Sequence, residues 1–327
     1  MRAITYSRYG PPEVLQLRTV DRPVPGDDEV LIKVQAVEVT KSDCEMRSFR
    51  YALKWFWLPL RLALGVRRPR RRILGAYFSG VIESMGKNVT RFSVGDQVFG
   101  ASRFRLGAYG EYLALPADYT IVAKPQNMSF AEAAAVPLGG MNALHFMRRA
   151  QIQPGEKVLI NGAGGSIGAH AVQIARSMGA QVTAVDSAIK REFLTRLGAD
   201  HFVDYTTEEF LADGQRYDVI FDMVPGSPYG ACIKALNPKG RYLSGNPGLA
   251  VMCRSVLTSL FSDRTATFAF AAETEEELST LRRMIEEGSL RSILDRVYPM
   301  ELSAEAHHRV ETEERTGAVV IAIGELP

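Results

Sequence analysis

Cysteine is scarce in this chain: three among 327 residues, Cys44, Cys232 and Cys253, far apart and with no CxxC pair. That argues against a disulfide framework and a zinc ribbon, and makes a reducing, cytoplasmic setting the expectation. Long apolar runs are missing as well. No uncharged apolar stretch reaches the roughly 18 residues of a membrane span, and Met1 to Tyr6 contain no apolar signal core, so neither spanning nor secretion is expected. There is no large surplus of one charge: 39 Lys and Arg against 37 Asp and Glu leave a net +2, too little for a global nucleic-acid footprint. What is present is the composition of a globular protein, 46% hydrophobic and 23% charged, at a length that suits two domains.

Two textures divide the chain. Up to about residue 125, short β-type runs such as Val30 to Val39, Ser79 to Glu83 and Asp96 to Phe99 alternate with Gly and Pro. From about residue 127, short apolar runs alternate with helical periodicity, the pattern of βαβ units around a parallel sheet. Strands are expected at 157–160, 181–185, 201–203, 217–221, 241–244 and 265–270, a number that suits a doubly wound dinucleotide fold. Between the first two, Ile167, Ala171, Ile174, Ala175 and Met178 repeat at the spacing of one helix face, and Gly179 supplies a stop. Beyond Gly288 the chain reads as β again at 293–298 and 318–323, which implies a return to the first domain.

The turn after the first of these strands, Asn161-Gly162-Ala163-Gly164-Gly165-Ser166-Ile167-Gly168, carries the clearest chemistry. It has Ala163 where a strict GxGxxG has its first glycine, but keeps Gly165, which lets backbone approach a pyrophosphate, and Gly168, which lets the helix pack closely. Backbone N–H groups at the helix start then face the phosphates. At the end of the second strand, Asp186 lies 21 residues beyond Gly165, where a carboxylate accepts from an adenosine ribose. Ser187, Lys190 and Arg191 follow and could instead hold a 2′-phosphate. A plain helix start, with Asp186 as its cap, is the competing interpretation.

Several motifs in order then resemble the medium-chain dehydrogenase/reductase superfamily, and within it the zinc-free quinone oxidoreductase-like branch. They are Tyr9-Gly10-Pro11-Pro12-Glu13-Val14-Leu15, Gly95 to Gly100, Gly107 to Tyr112, Ala133 to Pro137, the turn at 161–168, Leu197 to Asp200, and Asp204-Tyr205. The resemblance implies an α/β protein with a GroES-like β-rich substrate domain from residues 1–126 and 291–327. A Rossmann doubly wound parallel-sheet domain would occupy 127–290. It implies NADP(H) or NAD(H) as cofactor, with NADP(H) slightly favoured, and a homodimer. It places Thr40 and Tyr77 at the catalytic positions, and Asn142, Tyr205, Val224, Ser244 and Gly245 beside the cofactor with the glycine-rich turn. Thr40, Ala76, Tyr77 and the region of Val136 stand where zinc-dependent members carry Cys, His, Glu and Cys, so no catalytic zinc is expected. Where relatives have Asn and an acidic residue, this chain has Thr40 and Tyr77; where they often have Gly-Lys near the C-terminus, it has Gly317-Ala318.

The activity implied is zinc-independent hydride transfer from NAD(P)H to a quinone, enone or similar activated carbonyl, an apolar or aromatic small molecule. Alternatives are a 2-enoyl thioester reductase, or a non-catalytic nucleotide sensor that binds RNA. One segment is unexplained by this. Residues 44–74 carry nine Arg and Lys against Glu45 alone, together with both tryptophans, Trp55 and Trp57. A substrate lid or subunit contact is the first expectation for it; an anionic membrane surface or RNA is the alternative.

Overall fold

The computed structural model describes residues 1–51, 57–211, 214–269 and 271–324. Lys54, Trp55 and Phe56 of the basic segment, and Phe270 at the end of the sixth expected strand, lie outside the described residues. By their internal packing the residues form two compact units, Met1–Leu138 with Glu273–Pro327, and Gly139–Ala272.

The first unit is built on strands β1 (Arg2–Thr5), β2 (Gln16–Thr19), β3 (Glu29–Val39), β4 (Tyr77–Met85), β5 (Gln97–Ala101), β6 (Tyr112–Pro116) and β7 (Thr120–Ala123). The main sheet is completed from the far end of the chain. With the second unit's strands intervening in sequence, β14 (Leu294–Pro299) and β15 (Ala318–Ala322) give the order β14-β15-β3-β4-β5-β7, with β6 also on β3. Strand β3 is central and buried along most of its length, with Lys33 its one exposed residue. Gly100 is required where β5 meets β7, because a Cβ there would stand 2.1 Å from the Thr120 carbonyl oxygen.

Helices α1 (Lys41–Ser48), α2 (Trp57–Leu64), α3 (Phe130–Ala134), α9 (Glu275–Glu286) and α10 (Ser303–Glu311) also belong to this unit, the second unit holding α4 to α8. The boundaries differ from those expected: 127–138 and 273–290 fall in the first unit. The reason is packing. Leu278, Leu281 and Ile285 form the buried face of α9, which lies on β7, and α3 lies on β3 and β4. Helix α10 buries His307, an interior residue that periodicity did not reveal. Its Nε2 lies 3.0 Å from the Tyr109 hydroxyl and its Nδ1 3.3 Å from Cys44 Sγ. A neutral ring completes this chain, with one nitrogen donating and the other accepting. Burial, reinforced by the neighbouring Arg47 charge, pushes His307 down to about 3.

The second unit contains β8 (Lys157–Asn161), β9 (Gln181–Asp186), β10 (His201–Asp204), β11 (Tyr217–Asp222), β12 (Leu236–Ser244) and β13 (Thr265–Phe268). All are parallel, in the order β10-β9-β8-β11-β12-β13. That is the doubly wound order, which reverses at β8. Its helices are α4 (Pro137–Ala150, whose first two residues fall in the first unit), α5 (Ser166–Ser177), α6 (Arg191–Arg196), α7 (Tyr229–Lys234) and α8 (Leu249–Phe261). Helix α5 is buried more widely than its predicted stripe: His170, Val172 and Gln173 are interior too. Part of the reason is α4. Gly139 on α4 allows so close an approach that a Cβ would lie 2.5 Å from both His170 Nδ1 and Ser166 Oγ. Burial lowers His170 to about 4, and its Nδ1 lies 2.7 Å from the Ser166 carbonyl oxygen. Among the described residues no helix is long and apolar enough to cross a membrane.

The two interior histidines define a pH dependence. Both remain neutral in the folded chain far below the roughly 6.5 at which an exposed histidine takes up a proton. The unfolded chain therefore binds more protons on acidification, and stability falls as pH drops from about 6.5 towards 4. Each histidine contributes about 1.4 kcal/mol per pH unit over that window. Urea unfolding at pH 7.5, 6 and 5 should show a falling midpoint; a midpoint constant across that range would contradict the burial of neutral imidazoles.

Candidate active site

In the second unit the carboxyl ends of five strands are in register. Asp204 pairs with Asp186, Asn161 with Val185, and Asp222 with both Asn161 and Ser244. The chain leaving each strand is bonded to its neighbour. Gly162 and Ala163 N–H both donate to Val185 O at 3.1 Å, Met223 N–H to Asn161 O at 3.1 Å, and Gly245 N–H to Asp222 O at 3.1 Å. This row is the edge at which open parallel sheets bind ligands. It brings together Gly162, Ala163, Gly165, Ser166, Ile167, Gly168, Asp186, Ser187, Lys190, Tyr205, Val224, Ser244 and Gly245. Asn142 is apart from them in sequence, half-buried on α4.

The glycines of the turn have different physical reasons. Gly162 has φ +80°, a conformation that favours glycine. Gly168 is needed for contact: a Cβ would lie 2.3 Å from Gly162 O and 2.7 Å from Ala163 Cα. Gly165, the residue before α5, has ordinary extended dihedrals, and a Cβ there would meet nothing nearer than Gly162 O at 3.7 Å. The space beside Gly165 is therefore open, at the head of α5, whose first-turn N–H groups have no acceptor within the helix.

Asp186 faces inward. Its Oδ2 accepts from Gly164 N–H at 2.7 Å, and its Oδ1 from Ser187 N–H at 2.9 Å and from Lys190 Nζ at 3.1 Å. Asp186 and Lys190 are both buried. Sequence reasoning placed both at the adenosine end; the structure shows that they also bind each other and the turn. Arg191 lies over the Phe202 ring, 4.5 Å from its centroid. Asp222, which the sequence did not single out, organises the other side of the row. It accepts from Asn161 Nδ2 at 3.0 Å, Ser227 Oγ at 2.9 Å, Val224 N–H at 3.1 Å and the Tyr242 hydroxyl at 2.8 Å. Burial raises its carboxyl pKa, and these donors oppose the rise.

In the first unit, Thr40 is the cap of α1. Its hydroxyl donates to Asp43 Oδ2 at 2.6 Å and accepts from Asp43 N–H at 3.0 Å. The hydroxyl placed at a catalytic position is therefore engaged within the fold, which the Thr40-x-x-Asp43 spacing of a capping box could have signalled. Asp43 Oδ1 also accepts from Gly75 N–H at 3.1 Å, tying α1 to the segment before β4. Tyr77 is half-buried, and its hydroxyl donates to Glu273 Oε1 at 2.5 Å. Burial above all, then the Glu273 carboxylate, holds the phenol pKa well above 10. Glu273 was missed in the sequence; it has φ +52°, and its carbonyl accepts from the Thr120 hydroxyl at 2.6 Å. Among the described residues, no three His, Cys, Asp or Glu side chains gather as metal ligands.

Comparison with known proteins agrees with this architecture. Residues 26–126 match the alcohol dehydrogenase GroES-like domain family, and 197–321 a family described as zinc-binding dehydrogenase. A quinone oxidoreductase of Pseudomonas aeruginosa is 30% identical, over 98% of this chain and 99% of its own. The solved quinone oxidoreductase of Coxiella burnetii superposes with a TM-score of 0.88 at 28% identity, covering 99% of each chain. The CurK enoyl reductase superposes at 0.84 with 26% identity over 98% of each.

The glycine geometry separates two substitutions. Gly165→Ala should fold with stability within about 1 kcal/mol of the parent, yet weaken dinucleotide binding at least tenfold. Gly168→Ala should weaken binding and also lower stability, by about 1–3 kcal/mol, because the helix must move. Thermal unfolding and nucleotide fluorescence titration of both variants test this; equal nucleotide affinity in Gly165→Ala and parent would contradict the assigned opening.

Proposed function

The chain belongs to the quinone oxidoreductase-like branch of the medium-chain dehydrogenase/reductase superfamily, and from that premise we propose that it reduces a quinone, enone or similar activated carbonyl compound without a metal ion. The coarser activity, NAD(P)H-dependent oxidoreduction, follows from relatives that match along the whole chain. The observation that carries the reading is the row of strand ends with open space at Gly165. When bound, the nicotinamide supplies the hydride. The likeness to CurK favours a second reading, in which the acceptor is a 2-enoyl thioester.

Donor chemistry supports the metal-free reading, although one matched family is named for zinc. Thr40 and Tyr77 have their protons directed to Asp43 and Glu273, Ala76 has no donor atom, and Val136 is a buried aliphatic residue. No thiolate or imidazole is offered at these positions.

For the coenzyme we favour NADPH. The Asp186 carboxylate is occupied by Gly164, Ser187 and Lys190, which leaves it poorly placed to accept from a ribose and reduces its repulsion of a 2′-phosphate. The Ser187 hydroxyl would receive that phosphate, joined by the Lys190 ammonium on turning outward from Asp186, against which it is buried.

Tyr77 has the character of a hydrogen-bond donor that keeps its proton. Because that proton is directed to Glu273, Tyr77 would hold a carbonyl oxygen only by exchanging this partner for the substrate, and water is the proton source in this reading. As one hydrogen bond, its contribution is about tenfold in rate or less.

We read the protein as a cytoplasmic homodimer. Cys44, Cys232 and Cys253 are free thiols. Strand β13 is an edge, and beside it α8 exposes Leu249, Val256, Leu257, Leu260 and Phe261, an apolar face that a second copy would cover. Leu260→Asp with Phe261→Asp should yield monomers by light scattering; an unchanged mass would place the interface elsewhere.

The central test is titration with NADPH and NADH, then turnover with quinone, enone and enoyl-thioester panels. NADPH should bind about tenfold more tightly, a preference worth about 1.4 kcal/mol, and Lys190→Gln should abolish it. Tyr77→Phe should lower kcat/KM about tenfold or less with nucleotide affinity unchanged. Failure to bind either nucleotide would refute the oxidoreductase reading, and turnover confined to enoyl thioesters would select the second.

A further inference from the structure

No Asp or Glu occurs between residues 46 and 82, a span that contains the basic and aromatic segment. Within it, α2 is fastened to the first unit by one face. Arg61 lies over the rings of Phe49 and Tyr9, 4.3 and 4.5 Å from their centroids, and Trp57 meets Phe49 edge-on at 5.7 Å. The Tyr9 hydroxyl donates to the carbonyls of Leu64 and Gly65 at 3.1 and 2.8 Å. Helical spacing puts Leu58, Pro59 and Leu62 on the opposite face from Leu60, Arg61 and Leu64, and all three are exposed, Leu58 by 60% and Leu62 by 57%.

The chain then folds back at once. Gly65 takes φ +120°, Arg70 N–H donates to Leu64 O at 2.8 Å, and Tyr6 N–H donates to Arg72 O at 3.0 Å. The run from Val66 to Arg72 is thereby pinned beside the end of α2. Val66, Arg67, Arg68, Arg71 and Arg72 are exposed, and among the described residues these four arginines have no carboxylate partner.

An exposed aliphatic wedge edged by four unpaired arginines calls for a partner that is anionic at its surface and apolar beneath. A nucleic acid would satisfy the arginines but has no apolar interior for Leu58, Leu62 and Val66. A second copy related by a two-fold axis would bring the same arginines together, from a stretch of chain with no Asp or Glu of its own. We propose that α2 and the following turn dock peripherally on an anionic lipid bilayer, with Leu58, Pro59, Leu62 and Val66 entering the headgroup layer and Arg67, Arg68, Arg71 and Arg72 meeting lipid phosphates. An eight-residue helix can wedge into one leaflet but not cross the bilayer.

The test is flotation of the full chain with vesicles of phosphatidylcholine alone, or of phosphatidylcholine with phosphatidylserine, at low and high salt. Binding should require phosphatidylserine and weaken with salt. Replacing Arg67, Arg68 and Arg71 by Gln should reduce partitioning about fivefold per arginine, and Leu58→Ser with Leu62→Ser should reduce it at constant charge. Arg216→Gln, an exposed charge change in the second unit, should have no effect. Because the altered side chains are exposed and the Arg61 contacts are untouched, thermal unfolding midpoints should match the parent. Absent binding, or equal binding to both vesicles, overturns the proposal. So does RNA retention that survives the leucine changes without vesicle binding, which assigns the surface to nucleic acid, and so does a loss of oligomeric mass in the leucine variant, which assigns it to self-association.

Discussion

Gly168 touches the backbone of Gly162 and Ala163 with no room for a Cβ, and what the second unit offers a nucleotide depends on that contact. It fixes the start of α5 against the end of β8, with Gly165 at the head of the helix. Asp186 extends the constraint sideways. One buried carboxylate holds the turn through Gly164, the end of β9 through Ser187, and the start of α6 through Lys190. On the other side Asp222 ties β8, β11 and β12 together through Asn161, Val224 and Tyr242. Both acids are sheltered from water, where hydrogen bonds are stronger and an unmet partner costs more. Asp186 and Asp222 each have their carboxylate oxygens met by donors from the neighbouring strands and turns.

The first unit uses the same device with different residues. Asp43 receives the Thr40 hydroxyl and the Gly75 amide, so the positions that hold zinc ligands in metal-dependent relatives are here bound into a cap and a strand start. Glu273 receives the Tyr77 hydroxyl while its own carbonyl receives that of Thr120, and these two bonds hold a non-glycine residue in the left-handed region. An acidic residue brought from far along the chain thus stands beside Tyr77, at the position where relatives commonly have an acidic residue of their own.

Much was legible in the sequence where periodicity and turn chemistry act locally. The six strands of the second unit, the glycine-rich turn and the absence of thiolate or imidazole at the metal positions could each be read from residues close together in the chain. Other features were hidden because their partners are distant. His307 gave no sign that it would be buried against Cys44 and Tyr109, and Glu273 gave none of meeting Tyr77 across nearly 200 residues. The breadth of burial on α5 was likewise invisible, since it depends in part on Gly139 of α4.

By itself the sequence determined the class of fold and the family, because these rest on apolar spacing and on glycines such as Gly168, where a Cβ cannot fit. The tertiary structure decided what the polar side chains do. It turned Asp186 inward onto Lys190 and engaged the Thr40 hydroxyl with Asp43. It also laid Arg61 over Phe49 and Tyr9, so that the opposite face of α2 points outward. A hydrogen bond or a ring contact is set by distance and direction in three dimensions, and neither is encoded in the spacing of residues along the chain.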